Sequence, residues 1–399
     1  MLEALRRAVD ARVDDLYDLT ARLVRERSLL GDEEGAQRIV EERLRWLGLA
    51  VRRVEPDADE ALADPYAGYP ALPYAGRTCL AGRLEGTDGG RSLHLTGHVD
   101  VVPVEAEERW THDPWGGEIA GGRMWGRGAG DMKAGLAAYV VAVEAFLEVA
   151  GPPRGDLLFS SVIEEENGGN GMRAILRAGY DADATLIGEP TDLRLHANGV
   201  GVIWARLAAR SEGAHAAVAD ASPSPVERLS DAVRALRGLE ERLNSGTGGA
   251  HPYNLNLGEI HGGVWPSSVP AEVVLRVRLG FGPELEPADA QAFLREAVEL
   301  EAPGVEVAFE GFRARAYEHD LANPLAALVS ACHAEIHGAP PGAKTSTATT
   351  DARYVEGPCF CYGPRAGNIH GIDEWVDLAS VRDTALAVAL AATRWDRGM

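Results

Sequence analysis

"LLFSSVIEEENGG", residues 157–169, decides the fold and sets the chemical problem. A mostly apolar run, long enough for a buried strand, passes directly into Glu164, Glu165 and Glu166, and a glycine pair follows. Unpaired buried charge is costly. Three adjacent carboxylates at the end of an interior strand therefore mark either the point where the chain reaches solvent or a place where it faces a cation.

Similar segments lie on either side. "SLHLTGHVDVV" (92–102) and "DATLIGEP" (183–190) are short apolar runs, and helical periodicity covers 1–26, 34–48, 132–149 and about 170–178. Fully apolar strands alternating with helices predict an α/β fold, a mostly parallel sheet with helices on both faces. In such a sheet functional groups gather outside the carboxyl ends of the strands. His98, the glutamate triplet and Glu189 all stand at such ends.

From about residue 199 the pattern changes. A strand "GVIWARLAAR", a helix over 223–243, strands "YNLNLGEIHGG" and "AEVVLRVRLGF", a helix over 287–301 and a strand over 305–311 follow in turn. That order is the one of a small α+β, ferredoxin-like sandwich. It predicts a smaller domain, 198–312, inserted into a first domain made of 1–197 and 313–399. The first domain resumes with a helical "NPLAALVSACHAEIHG", a strand "PCFCYGP" and a closing helix over 378–395. Residues 55–77, rich in proline, tyrosine and acids, read as a long surface loop.

The chain has 399 residues, 46% of them hydrophobic and 25% charged, a globular composition too long for one ordinary core. A formal net charge of -22 argues against nucleic acid and anionic membrane as partners. The N-terminal segment is amphipathic with charges throughout, unlike a signal peptide. No run approaches the ~20 apolar residues of a membrane span. A cytoplasmic location is expected. The four cysteines, Cys79, Cys332, Cys359 and Cys361, form no CxxC and read as buried, reduced thiols.

His98 and Asp100 are two apart on a strand end, so their side chains share a face, and a metal-bound histidine usually has its other nitrogen held by a carboxylate or carbonyl. Asp131 stands at a glycine-rich turn before a helix, where a capping aspartate is also common. "EEEN" and "GEPTD" set acids directly after strands, and His370 lies in a glycine-containing loop before the last helix. Each alone has a bland reading. Two histidines and several carboxylates at strand ends together match what zinc or cobalt prefers. Two divalent ions sharing a carboxylate can activate a water and polarise a carbonyl.

The segments "GHVDVVP", "GRGAGDMKAG", "EEENGGNG", "GEPTD" and "NIHGIDEWV" fall in one order over residues 92 to the C-terminus. In that order they resemble the motif series of the M20 metallopeptidase and deacylase family. The resemblance implies an α/β catalytic domain interrupted by a lid or dimerisation domain, and two divalent metal ions, zinc or cobalt. It puts His98 and Glu189 on one metal and Glu166 and His370 on the other, with Asp131 bridging. Asp100 would orient His98, and Glu165 would be the general base. Glu164 would have no direct role. "SEGAHAAV" resembles the segment whose histidine reaches the partner subunit's site, so His215 would steady an oxyanion and the protein would be a homodimer. Asn256 is a candidate for substrate contact.

Two departures stand out. Arg278 and Gly280 occupy positions where many relatives carry an aspartate and a substrate-gripping arginine, so a carboxylate grip would come from elsewhere, with Arg353 as a candidate. Residues 103–113 look like an insertion, with His112 a surface residue. The expected activity is hydrolysis of a linear amide in a small molecule. The best substrate class is an N-acyl amino acid or related N-acylated amine, as in the acetylornithine deacetylase and desuccinylase-like branch. A di- or carboxypeptidase is the enzyme alternative, and an inactive binding homologue the non-enzyme one.

Overall fold

The computed structural model describes residues 1–87, 89–221, 224–245 and 253–398. Its large sheet has eight strands in the order Ala50–Val54, Cys79–Leu84, Leu157–Val162, Leu93–His98, Thr185–Ile187, Cys359–Cys361, Leu195–His196, Ala343–Lys344. The four strands from Leu157–Val162 to Cys359–Cys361 run parallel, and antiparallel pairings flank them. Leu93–His98 and Leu157–Val162 are buried along their whole length, as strands covered on both faces must be. Two adjacent residues identify the covers. Thr96 looks towards Met172 of helix Asn170–Arg177, whereas a Cβ at Gly97 would meet Met132 and Leu136, at the start of helix Ala134–Ala150, on the other face.

Helix Ala134–Ala150 is apolar on nearly every side because helices Leu2–Asp10, Val13–Arg25 and Leu378–Asp396 cover what the sheet does not. Its first turn touches the sheet directly. A Cβ at Gly135 would fall on the carbonyl oxygen of Gly188, so only glycine lets the turn carrying Asp131 settle beside the strand end carrying Glu189.

The inserted unit is a four-stranded antiparallel sheet ordered Asn254–Gly262, Glu272–Phe281, Gly201–Arg210, Val305–Ala314. Helices Pro225–Asn244 and Pro287–Glu301 close one face over a separate core that includes Leu207, Leu236, Leu275 and Leu294. Residue 223, where the sequence pattern starts the first of these helices, lies outside the described residues. The short pair Asn198–Gly199 with Tyr317–Glu318 joins the two units.

Three expectations need correction. The single helix over 1–26 is two helices, Leu2–Asp10 and Val13–Arg25, broken at Ala11–Arg12. Residues 55–77 are no plain surface loop. Helix Ala58–Ala63 lies within them, Ala67 and Tyr74 are buried, and Tyr69 N–H donates to Gly311 O (2.7 Å), tying the segment to the inserted sheet. Nor is His112 simply a surface residue: it stacks on Trp125 with ring centroids 4.4 Å apart. Beside it, Asp373 accepts from Thr111 N–H (2.8 Å), which docks the 103–113 segment on the loop carrying His370. Among the described residues, no helix is long and apolar enough to cross a membrane.

Candidate metal and active site

The strand Leu93–His98 ends by delivering His98 into the interior. Its Nδ1 lies 2.9 Å from the backbone oxygen of Asp100, which can only accept, so Nδ1 carries a proton and Nε2 is the nitrogen turned towards the neighbouring carboxylates. That Nε2 is 3.1 Å from Asp131 Oδ1 and 4.0 Å from Glu189 Oε2. The other oxygen of Asp131, Oδ2, is 3.6 Å from His370 Nε2, which is itself 2.9 Å from Glu166 Oε1. One carboxylate thus stands between two histidine–glutamate sets. Ligand atoms of His98, Asp131 and Glu166 all lie within 4.8 Å of one another.

The glutamate triplet sorts three side chains into three settings. Glu164 takes a left-handed backbone (φ 65°), and its carbonyl accepts from Gly168 N–H (3.0 Å) and Gly169 N–H (2.7 Å). The N–H groups of Glu165 and Glu166 donate to the two oxygens of Asp100, at 3.2 and 3.0 Å. Asp100 therefore holds His98 mainly through its backbone oxygen, since its carboxylate is 3.6 Å away and caps the glutamate turn. Glu164 turns inward beside Tyr74 and Arg77, buried, and burial pushes its carboxyl up to about 7. Glu165 faces Arg353, whose Nη1 is 3.3 Å from Oε1. Glu166 faces His370.

The electrostatics match a cation site. Burial, followed by the neighbouring charge of Asp131, raises Glu189 well above the usual carboxylate range. Burial raises Glu166 to about 7 against the pull of His370. Burial also opposes ionisation of Asp131, but the hydrogen bond and charge of His98 and the charge of His370 outweigh it and hold the group at about 2. Crowded, desolvated carboxylates with two imidazoles are the nitrogen and oxygen donors that divalent transition metals take. The residues present fit a pair of such ions.

Motif residues with no expected role hold the arrangement. Glu374 Oε1 accepts from the N–H of Gly130 (3.0 Å) and of Asp131 (3.1 Å). Its other oxygen pairs with buried Arg127, which also donates to Gly371 O (3.3 Å). The loop bearing His370 and the turn bearing Asp131 are thereby joined. The sequence signal was present: Glu374 is an acid directly before an apolar strand, four residues after His370.

Arg353, read as a candidate substrate grip, is 1% exposed and engaged by Glu165 and, at 3.6 Å, by Asp351. Its guanidinium also packs near the rings of Phe312 and Tyr354. His215 is exposed on the two-residue strand Ala214–His215, and its Nδ1 accepts from Ala217 N–H (3.1 Å). Within the chain, no described hydrogen bond or ion pair links His215 to Asp131 or the four residues around it. Asn256 lines a cavity of about 560 Å³ between the inserted sheet and Asn167, the neighbour of Glu166.

This chain belongs to peptidase family M20/M25/M40, whose pattern matches residues 94–394, and it is a hydrolase of amide bonds. Succinyl-diaminopimelate desuccinylase of Rhodospirillum centenum is 33% identical over 326 residues, 78% of this chain and 83% of that protein. The dipeptidase Dug1p of Saccharomyces cerevisiae has the same fold at a TM-score of 0.82 and 14% identity, covering 100% of this chain and 99% of that one. The YXEP protein of Bacillus subtilis, a dinuclear metal-binding peptidase of the M20 family, aligns at a TM-score of 0.61 and 13% identity over 96% of this chain and 98% of that one.

Proposed function

We propose that this chain is a metal-dependent deacylase of N-acyl amino acids or related N-acylated small amines, working in the cytoplasm as a homodimer with two zinc or cobalt ions. The observation that carries the reading is Asp131, whose two oxygens face two different histidines at 3.1 and 3.6 Å. The desuccinylase of Rhodospirillum centenum, which acts on an N-acylated amine, supports the substrate class.

In this reading His98 and Glu189 would hold one ion and Glu166 and His370 the other, with Asp131 as the residue common to both. Bound divalent ions lower the pKa of water and polarise the scissile carbonyl. Glu165 takes the proton from the attacking water and passes it to the leaving amine nitrogen, a role worth about 10²–10⁴-fold in rate. Arg353 fixes the direction of the Glu165 carboxylate through its 3.3 Å contact. Asp100 keeps the proton of His98 on Nδ1 and aims Glu165 and Glu166 by capping their N–H groups. His215 of the partner subunit donates to the oxyanion, consistent with its exposed place away from its own chain's centre.

The test is amine release from N-acetyl, N-succinyl and N-formyl amino acids beside a set of dipeptides. Cleavage of one N-acyl class ahead of all dipeptides is the expected result. Preference for dipeptides moves the chain to the peptidase reading, and cleavage of neither together with no zinc binding leaves an inactive binding homologue.

A further inference from the structure

Residues 69–72 cross from one unit of the molecule to the other. Tyr69 N–H donates to Gly311 O (2.7 Å) on the inserted strand Val305–Ala314. Three residues later the side chain of Leu72 rests on Gly31 of the first unit, where a Cβ would stand 2.9 Å from Leu72 Cδ1. Between these two fixings Pro70 and Ala71 line the 560 Å³ cavity, together with Leu30, Asn167, Trp204 and Asn256. The stretch is a bar along one side of the cleft, and Asn167 is the neighbour of Glu166.

Both units fasten the bar. Asn170, just after the glutamate turn, accepts from Gly68 N–H and donates to Gly68 O, both at 3.0 Å. A Cβ at Gly68 would stand 2.5 Å from Gly168 Cα, so the two backbones lie directly on each other. From the inserted unit, Arg313 donates to Ala67 O (2.9 Å), Ala61 O (3.0 Å) and Asp64 O. Its guanidinium carbon is also 4.5 Å from the centroid of the Tyr69 ring, and Gln291 Nε2 donates to Tyr69 Oη (3.2 Å). One guanidinium thus serves three carbonyls, which its fixed fork of N–H donors suits and a lysine could not match. Pro70 stiffens the span that follows, because its ring fixes φ. A long ordered stretch with little secondary structure of its own is usually functional rather than a plain connection.

We propose that residues 69–72, latched by Arg313, set the size limit of the substrate. They wall one side of the cleft, so the half of the amide lying against them, acyl or amine, must be short. The inference rests on the deacylase reading for the bond that is cut, but not for the wall. A cavity of this volume takes a small molecule, and a wall held from both units discriminates by length where a yielding one would not. Arg313 is then a specificity-determining residue that acts through the bar.

The experiment compares kcat/KM for acid release in three series. Two are acyl series on L-leucine, one neutral (acetyl, butanoyl, octanoyl) and one anionic (succinyl, suberoyl). The third sets N-acetyl-L-leucine against N-acetyl-L-leucylglycylglycine. In wild type the longest member of at least one series falls about tenfold or more below its shortest, the scale on which a pocket rejects excess methylenes. The series with the cutoff names the half that lies against the bar. Ala71→Trp, at an exposed position, moves the cutoff to shorter members. Arg313→Met unlatches the bar and shrinks the wild-type difference, with bound zinc unchanged; if that variant fails to fold, Ala71→Trp decides alone. Length-independent kcat/KM in wild type, a cutoff unmoved by Ala71→Trp, or one kept in full by folded Arg313→Met overturns the inference. If no acid is released, calorimetric binding of the same compounds to metal-stripped protein is read in the same way. A binding cutoff that Ala71→Trp shifts, without acid release, sinks the deacylase reading alone. Acid release without a cutoff sinks this inference alone, and neither release nor binding sinks both.

Discussion

The carboxylate of Glu374 accepts the backbone N–H of Asp131 at 3.1 Å, so the loop that carries His370 also sets the position of the residue between the two histidines. Glu374 is fully buried, and its partner Arg127 is 2% exposed. Glu374→Ala leaves a buried guanidinium without its anion, which costs about 3–5 kcal/mol. It also frees the Asp131 turn, so zinc affinity falls about 10–100-fold, as when other outer partners of metal ligands are removed. Denaturant unfolding and zinc titration of the same variant check both effects. Unchanged zinc affinity would show that Glu374 only packs.

Glu165→Gln keeps the size of the side chain and removes its ability to take a proton. The expected outcome is a kcat lower by about 10²–10⁴-fold, with KM within a few-fold and metal content unchanged. Glu164→Gln, one residue earlier, is expected to leave kcat within a few-fold, because that side chain lies beside Tyr74 and Arg77. Steady-state kinetics with metal analysis separates the two. The reverse pattern would mean that the base is Glu164.

His215 can be tested across subunits. His215→Ala is expected to lose about 10²–10³-fold in kcat, the usual scale for one oxyanion donor. Mixed with Asp131→Asn chains under subunit exchange, it should regain activity above that of either variant alone. No gain, with mixed dimers shown to form, would place the oxyanion donor within one chain.

Stability should fall with acid in a way traceable to His94. This imidazole lies inside the large sheet, 2.8 Å from Ser160 Oγ, and burial pushes it down to about 3. An unfolded histidine titrates near 6.5. Below that pH the unfolded chain takes up a proton that the folded chain refuses. Stability is therefore fully present above about pH 6.5 and falls by up to about 1.4 kcal/mol per pH unit towards pH 3. His94→Gln should flatten this dependence in denaturant curves between pH 4.5 and 7. An unaltered slope would assign the acid sensitivity to other groups.

Much of the candidate site was legible because its residues stand at the end of a strand, just before a helix or, for His370, in a glycine-containing loop, where periodicity breaks into polar residues. His98, Asp131, the triplet, Glu189 and His370 announced themselves in that way. What joins them was not legible. The contact of Glu374 with Asp131 spans 243 residues, and no local pattern encodes such a separation. Arg353 was read as a substrate grip from its charge, whereas its neighbours Glu165 and Asp351 are set by the fold. Arg278 is the opposite case. Its sequence looks like a departure from the family pattern, and only the register shows that it lies between Trp204 and Asn256. The break at Ala11–Arg12 was missed because amphipathic periodicity continues on both sides of it.

The central claim is that Asp131 holds two metal ions together for amide hydrolysis. The most direct test is to strip the protein with a chelator and titrate zinc back. Bound metal per chain and amine release from N-succinyl-L-leucine are followed on the same samples. The account predicts two ions bound per chain, activity rising with them, and both lost in Asp131→Asn. Full activity in the stripped protein, or the same zinc binding and turnover in Asp131→Asn, would contradict it.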